Sequence, residues 1–260
     1  MRRRSSRGMS VYGWLDLVSA VEKIPGEGLG GSMGKIIFEL CAETMEACVA
    51  ARDGGADRIE LCSALSEAGL TPSHGLLHEA IAKSGLPVNG LVRPRGGGFV
   101  YSSAEIAVME QDVLHMRRIG AAGVVLGLLK ADGTVDVEAT RRLVELARPL
   151  PVTFHRAFDE TPSLEQALED VIATGCKRVL TSGGWNDVMQ GAEVLARLVA
   201  QAGDRIDVAV GGGLRLTNAT ELAMRTGASH FHGSLSWDGA PTAQDVHNMV
   251  EQLRSVGAAR

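Results

Sequence analysis

The amino-acid sequence predicts a single-domain (β/α)8 barrel of the TIM type over residues 35–260. Short runs rich in Val, Ile and Leu alternate with longer stretches of helical period, which is typical of parallel β/α units. Eight such units follow one another in roughly 225 residues, the number and length that a TIM barrel requires. A doubly wound open sheet is the alternative, but it more usually has about five to seven strands and one switch point.

The elements follow in a regular order along the chain. Strands are expected at residues 35–41, 57–63, 87–94, 123–127, 151–158, 178–183, 205–213 and 230–234. Helices are expected between and after them, at residues 44–53, 73–84, 103–119, 136–147, 163–174, 187–202, 217–226 and 241–254. Capping residues support several helix starts, for example Ser103 followed by Glu105. A weak internal repeat is formed by glycines that precede four of the strands, at positions 55, 120, 175 and 227. Each interval between them holds about two β/α units.

The first 34 residues do not fit the barrel pattern. They begin with the basic run MRRRSSRG and continue as a Gly-rich segment interrupted by Asp16. A signal peptide needs an uncharged apolar centre and a small-residue cleavage site, so we expect residues 1–34 to be a flexible N-terminal extension. Met33 is a plausible alternative start.

Composition excludes several classes of function. A net charge of -5 and a pI near 5.8 give no basic surface for nucleic acid. No apolar run reaches the roughly 18 residues that a membrane span needs. Four cysteines at uneven spacings indicate free thiols in a reducing compartment rather than a disulfide framework. We therefore expect a cytoplasmic protein with no nucleic-acid or membrane partner.

The tripeptide Glu-Leu-Cys ends two of the predicted strands, at residues 39–41 and 60–62. Residues two apart in a strand share a face, so Glu39 and Cys41 point together, as do Glu60 and Cys62. Their apolar neighbours belong against the helices, which places the Glu and Cys side chains inside the barrel near the carboxyl ends of the strands.

Two cysteines on adjacent strands are close enough to hold one ion. An ion held in line between two sulfurs at about 2.3 Å each needs a sulfur separation near 4.6 Å, borrowing the zinc–thiolate distance. Cu(I) is the ion best served by two sulfurs, and zinc fits if His or a carboxylate completes a tetrahedron. The alternative is that Cys41 and Cys62 are ordinary buried small residues, as Cys48 and Cys176 are expected to be.

The other strand ends are unusually polar for a packed barrel centre. Buried polar groups need partners, so a solvated pocket with a small anionic ligand explains them better. An internal ion-pair network is the alternative for Glu39, Glu60 and Arg93. His155 and Glu60 are the candidates for proton transfer. The candidate ligand contacts are Glu39, Arg93, Arg95, Arg156, Thr181, Ser182 and His232.

Glycines follow the last two predicted strands, where TIM barrels often bind phosphate through backbone N–H groups. Gly211, Gly212 and Gly213 follow one strand, and Gly233 with Ser234 follows the next. Plain tight turns are the alternative role for such glycines. With Arg95 and Arg156 nearby in the predicted rim, they indicate a site for a phosphate or carboxylate.

Several strings together resemble one family. FELC, GGADRIELCSALSEAGLTPS, RPRGGGFVYSSAEIAVMEQD, PVTFHRAFD, RVLTSGG, GGG and HFHGS, in this order, resemble the CutC family, described as copper homeostasis proteins. The resemblance spans about residues 36–235. It implies a cytoplasmic (β/α)8 barrel, commonly a homodimer or higher homo-oligomer, with copper bound by Cys41 and Cys62. One departure is Gly98, where we expect Asp.

Two functional hypotheses follow from these observations. In the first, the protein handles copper, and Cys41 and Cys62 bind Cu(I) as thiolates. In the second, it is an enzyme acting on a small anionic or phosphorylated substrate at the barrel rim, with copper binding incidental. The sequence leaves open whether the protein is an enzyme.

Overall fold

Eight parallel strands close into a barrel in the order β1 to β8, each paired with its neighbours in sequence and β8 paired with β1. A computed structural model describes residues 35–236 and 239–258. The predicted single-domain (β/α)8 barrel is therefore confirmed. The predicted flexible extension at residues 1–34 lies outside the described residues.

Each strand is followed by a helix, as predicted. The strands are β1 Ile37–Ala42, β2 Arg58–Leu61, β3 Val88–Leu91, β4 Gly123–Leu126, β5 Val152–Phe154, β6 Arg178–Thr181, β7 Asp207–Gly211 and β8 His230–Gly233. The helices are α1 Met45–Asp53, α2 His74–Lys83, α3 Ser103–Ile119, α4 Val137–Ala147, α5 Leu164–Thr174, α6 Ala192–Ala202, α7 Ala219–Thr226 and α8 Ala243–Ala258. Short 3₁₀ turns follow β2 and β5, at Leu65–Glu67 and Arg156–Glu160.

Several predicted element boundaries are shifted, for example the end of β3 from residue 94 to 91 and the end of α8 from 254 to 258. Three other shifts have identifiable reasons. The strand predicted to reach residue 158 ends at Phe154, because the His155 side chain accepts the Ala157 N–H and caps a 3₁₀ turn. The strand predicted to reach residue 213 ends at Gly211, because Gly212 and Gly213 adopt φ of 106° and 91°, outside the strand region. Helix α6 begins at residue 192 rather than 187, after a turn containing Gly183 and Gly184 at positive φ.

Helix α3 shows how local sequence sets an element. Its N-cap is Ser102, one residue before the predicted start signal. Ser102 Oγ accepts the Glu105 N–H, and the Glu105 carboxylate accepts the Ser102 N–H at 2.7 Å. This capping box satisfies N–H groups that the first helical turn leaves without partners.

Side-chain alternation divides the barrel into two layers, as predicted. Phe38, Leu40, Ile59 and Leu61 are fully buried against the helices. Their neighbours in sequence point to the barrel axis, where Cys41 and Cys62 form a small apolar cluster with Leu91 and Val125. Strand register places Cys41 beside Glu60 and Glu39 beside both Arg58 and His232. The upper barrel interior therefore combines thiols with ionisable groups.

Among the described residues, no helix combines the length and the apolar composition needed to cross a bilayer.

Candidate metal site and pocket at the barrel mouth

A pocket of about 400 Å³ opens at the carboxyl ends of the strands. This end of a TIM barrel carries the active site in characterised enzymes of the fold. Its lining includes Cys41, Glu60 and His232 on the strands, and Arg93 and His155 just after β3 and β5. The pocket thus joins side chains from five different strands or strand ends.

The two cysteines lie side by side, which confirms their predicted juxtaposition. The Cys41 Sγ and Cys62 Sγ atoms are 3.8 Å apart, and both residues are buried. Cys41 lies in β1 and lines the pocket, whereas Cys62 directly follows β2. All four cysteines are free thiols. Cys48 and Cys176 pack in the hydrophobic layer with the helices, as expected for structural residues.

A carboxylate and an imidazole lie close to Cys41, in a group that does not include Cys62. Single ligand atoms of Cys41, Glu60 and His232 all lie within 4.8 Å of one another. Glu60 Oε1 accepts a hydrogen bond from the Cys41 thiol at 3.7 Å and lies 4.0 Å from His232 Nε2. Glu60 Oε2 is buried and makes no hydrogen bond within the described part of the chain. Thiol, carboxylate and imidazole are all ligands that a thiophilic metal accepts.

Glu39 lies beneath the pocket rather than in its lining. Its Oε1 is 2.9 Å from His232 Nδ1, and its Oε2 accepts from Arg58 Nε at 2.6 Å and Asn89 Nδ2 at 2.9 Å. The sequence left open a ligand contact or an internal ion-pair network for Glu39, and the structure places it in the network. A carboxylate on the far nitrogen of a metal-binding histidine fixes the ring orientation.

The ionisation of this cluster follows from burial and close charges. Burial would raise the pKa of Glu39, but the His232 hydrogen bond and the Arg58 charge hold that pKa well below its usual value. Burial opposes protonation of His232, yet the carboxylates of Glu60 and Glu39 raise its pKa. Burial raises the pKa of Glu60. The hydrogen bond with Cys62, then burial, raises the pKa of the Cys41 thiol. The cluster therefore retains protons that a bound cation would displace.

His155 and Arg93 occupy another part of the pocket lining. His155 Nδ1 accepts the Ala157 N–H at 3.1 Å, so in the neutral ring the proton lies on Nε2. Burial, and then the Arg93 charge, lower the pKa of His155 to about 3. His155 is therefore a neutral ring that presents an N–H donor. This geometry favours a donor over the predicted general base.

Arg93 is anchored by loop carbonyls. Nη1 donates to Glu67 O at 2.5 Å and Gly69 O at 2.8 Å, and Nη2 donates to Gly97 O at 2.7 Å. The guanidinium carbon lies 5.0 Å from the Phe99 ring centroid. Arg93 thus joins the loops after β2 and β3 and remains part of the pocket lining.

Three predicted ligand contacts at the ends of β5 and β6 form hydrogen bonds with Asp159, a residue that the sequence did not single out. Asp159 accepts from Thr181 Oγ1 at 2.5 Å and from Ser182 Oγ at 2.8 Å, and it also accepts the Gly184 N–H. Arg156 Nε donates to Asp159 at 2.8 Å. Arg156 lines the pocket, but Thr181 and Ser182 are turned to Asp159. The signal was present in the quoted string PVTFHRAFD, which ends on this residue.

Other predicted contacts divide between the pocket and its surroundings. Gly212, Gly213, Gly233 and Ser234 line the pocket, whereas Gly211 does not. Arg95 lies outside the lining, paired with Glu105 at 2.5 Å and placed over the Tyr101 ring. The lining residues that sequence analysis missed include Leu65, Phe99 and Arg215.

The closed barrel and the buried thiol, carboxylate and imidazole groups define a TIM-barrel protein with a candidate metal site at its mouth. The sequence profile of the CutC family matches residues 36–237. The chain belongs to the CutC family, as the sequence resemblance implied.

Individual relatives agree with this assignment. A CutC family protein of Chromobacterium violaceum is 50% identical over 198 residues, which is 76% of this chain and 80% of that protein. A CutC family protein of Xanthomonas campestris is 46% identical over 220 residues, which is 85% of this chain and 90% of that protein. A crystal structure from Streptococcus agalactiae, described as a candidate copper homeostasis protein CutC, has a TM-score of 0.73 and 33% identity, covering 76% of this chain and 98% of that one.

More distant structures share only the fold. Thiamine phosphate pyrophosphorylase of Pyrococcus furiosus has a TM-score of 0.57 at 16% identity, covering 88% of this chain and 97% of that one.

Proposed function

We propose that this protein takes part in copper homeostasis by binding Cu(I) through the thiolates of Cys41 and Cys62. The observation that carries the proposal is the 3.8 Å separation of the two sulfur atoms beside Glu60 and His232. The description of the S. agalactiae relative as a candidate copper homeostasis protein supports it.

The sulfur separation favours a bent arrangement. Two sulfurs 3.8 Å apart, each about 2.3 Å from an ion, subtend an angle of about 110° at that ion. The in-line pair considered from sequence needs about 4.6 Å, so the side chains as they lie fit three or four ligands better than two. His232 Nε2 and Glu60 lie close to Cys41 and are the candidate further ligands, but the group that they form with Cys41 does not include Cys62, so binding by both thiolates and these two residues requires the side chains to move.

This ligand set also explains how the ion is selected. Two thiolates favour a soft ion. The apolar side chains of Leu91 and Val125 pack around the two cysteines and limit the access of water to the sulfur atoms. Zinc is the competing ion, because a thiolate, carboxylate and imidazole set also satisfies its tetrahedral preference. The test must therefore compare the two ions.

The test is a competitive titration of the reduced protein with Cu(I) against a colorimetric chelator. The Cys41→Ser/Cys62→Ser variant is expected to lose competition, because the soft ligands are gone. The matched control is Cys48→Ala/Cys176→Ala, which removes two buried thiols of the helix layer and should compete like the wild type. Equal competition by wild type and Cys41→Ser/Cys62→Ser rules the proposal out. Tighter binding of zinc than of Cu(I) contradicts the choice of ion.

A second candidate function is catalysis on a small anionic or phosphorylated substrate. The pocket of about 400 Å³ is larger than a metal ion needs, and Arg93, Arg156, Gly212 and Gly213 contribute to its lining. Metabolite profiling of a deletion strain, with and without copper stress, tests this candidate. Accumulation of one anionic metabolite in both conditions supports it, whereas a change seen only under copper stress contradicts it.

The protein is further proposed to act in the cytoplasm as a homodimer or higher homo-oligomer. The free thiols of all four cysteines support a reducing compartment. Sedimentation of the purified protein tests the assembly, and a monomer at micromolar concentration contradicts it.

A further inference from the structure

Two buried N–H groups in the pocket lining make no hydrogen bond of good geometry within the described ranges, although the Tyr101 hydroxyl lies close to the Arg93 guanidinium. They are His155 Nε2 and Arg93 Nε, on side chains that are only 6% and 4% exposed. An unsatisfied buried donor destabilises the folded state, so such groups are uncommon in native proteins and call for an explanation. A ligand that binds in the pocket and accepts these hydrogen bonds is such an explanation.

Neither side chain can remove the deficit by turning away. The His155 ring is held by the Ala157 N–H, and Arg93 is held by the carbonyls of Glu67, Gly69 and Gly97. In each side chain the remaining nitrogen atoms are already engaged. The unpartnered N–H groups are therefore a fixed feature of this part of the pocket.

The two side chains that carry these donors both pack against Phe99. The Phe99 ring centroid lies 4.9 Å from the His155 ring centroid and 5.0 Å from the Arg93 guanidinium carbon. Phe99 also lines the pocket, and its ring helps to shield both groups from bulk water. A hydrogen bond formed in such a shielded place is stronger than one in water.

Both atoms can only donate. Arg93 is cationic, and His155 donates from Nε2 because its Nδ1 already accepts a hydrogen bond. A metal cation is excluded here, since neither nitrogen offers a lone pair. The complementary group is an oxygen that carries negative charge, and charge-assisted hydrogen bonds to such oxygens are short and strong.

We propose that His155 Nε2–H and Arg93 Nε–H form an oxyanion subsite, which binds a carboxylate or phosphate group of a small molecule occupying the pocket. Because both N–H groups are buried, binding requires the Phe99 ring to move. The subsite gives the second candidate function its substrate class, and it does not depend on the copper ligands at Cys41 and Cys62. Gly212, at φ 106°, lines the same pocket.

The experiment measures binding of succinate, glycerol 3-phosphate and inorganic phosphate to the reduced, metal-free protein by calorimetry. The histidine side chains are labelled with ¹⁵N and followed by NMR with the same probes. We expect at least one probe to bind and to shift the His155 Nε2 resonance. The carboxylate and phosphate probes distinguish the two possible oxyanions.

Three variants decide where the probe binds. His155→Phe keeps a ring but removes the donor, and it is expected to weaken binding at least tenfold. His155→Gln, which restores an N–H donor, should recover part of that loss. Arg95→Gln removes a neighbouring guanidinium outside the pocket lining and should bind like the wild type. Thermal melts confirm that each variant folds.

Two outcomes overturn the proposal. The first is that no probe binds the wild-type protein. The second is that His155→Phe, while folded, binds as tightly as the wild type, which places the anion elsewhere in the pocket. A Cu(I) titration of the same samples separates this proposal from the copper proposal, because either site can fail while the other persists.

Discussion

Copper affinity is expected to rise steeply with pH, because the Cys41 thiol must lose a proton before its sulfur can bind a metal ion. The hydrogen bond with Cys62, then burial, raises the pKa of Cys41 well above 9.0, so the thiol stays protonated between pH 6 and pH 8. Each proton released on binding changes the affinity about tenfold per pH unit. Cys41 alone therefore contributes about a hundredfold over those two units.

Competitive Cu(I) titrations at pH 6, 7 and 8, corrected for the protonation of the chelator, measure this slope. Calorimetry in buffers with different ionisation enthalpies counts the released protons independently. In the Cys41→Ser variant the slope should fall by about one proton, whereas Cys176→Ala should keep the full slope. An affinity that stays level across this range refutes the argument that Cys41 binds as a thiolate.

Three further predictions concern the residues that support the pocket. Asp159→Asn weakens hydrogen bonds to a charged acceptor, and it should lower the free energy of unfolding by about 1.5–3 kcal/mol in a urea titration; an unchanged midpoint contradicts this role. Glu39→Ala leaves Arg58 without its buried counter-charge and should cost about 3–5 kcal/mol, part of which a second substitution at Arg58 should restore. Gly212→Ala places a Cβ 2.9 Å from the Ser182 Cβ at positive φ, so thermal melts should show destabilisation, whereas Gly98→Ala, with nothing within 4 Å, should melt like the wild type.

The barrel was predictable because its signals are local and periodic. Strand alternation alone placed Phe38 and Leu40 against the helices and Glu39 and Cys41 inside, which the structure confirms. The alternation of apolar and polar side chains does not indicate at which residue a strand ends. The end of β5 depends on the His155 side chain accepting a backbone N–H, and this contact has no periodic signature.

The partners of the site residues were less predictable than the site residues themselves. The sequence brought Cys41 and Cys62 together because they lie on neighbouring strands. It did not assign His232 to Glu39, because those residues are 193 positions apart and meet only when the barrel closes. It predicted Arg95 as a ligand contact together with Arg93, but in the long β3–α3 loop Arg95 forms a hydrogen bond with Glu105 instead.

X-ray absorption spectroscopy of the Cu(I)-loaded protein is the decisive test of copper binding by Cys41 and Cys62, because it counts the sulfur atoms bound to the metal. We expect two sulfur neighbours at about 2.3 Å, borrowing the zinc–thiolate distance, and the loss of both in Cys41→Ser/Cys62→Ser. A spectrum with only nitrogen or oxygen neighbours, or two sulfurs that persist in that variant, contradicts it.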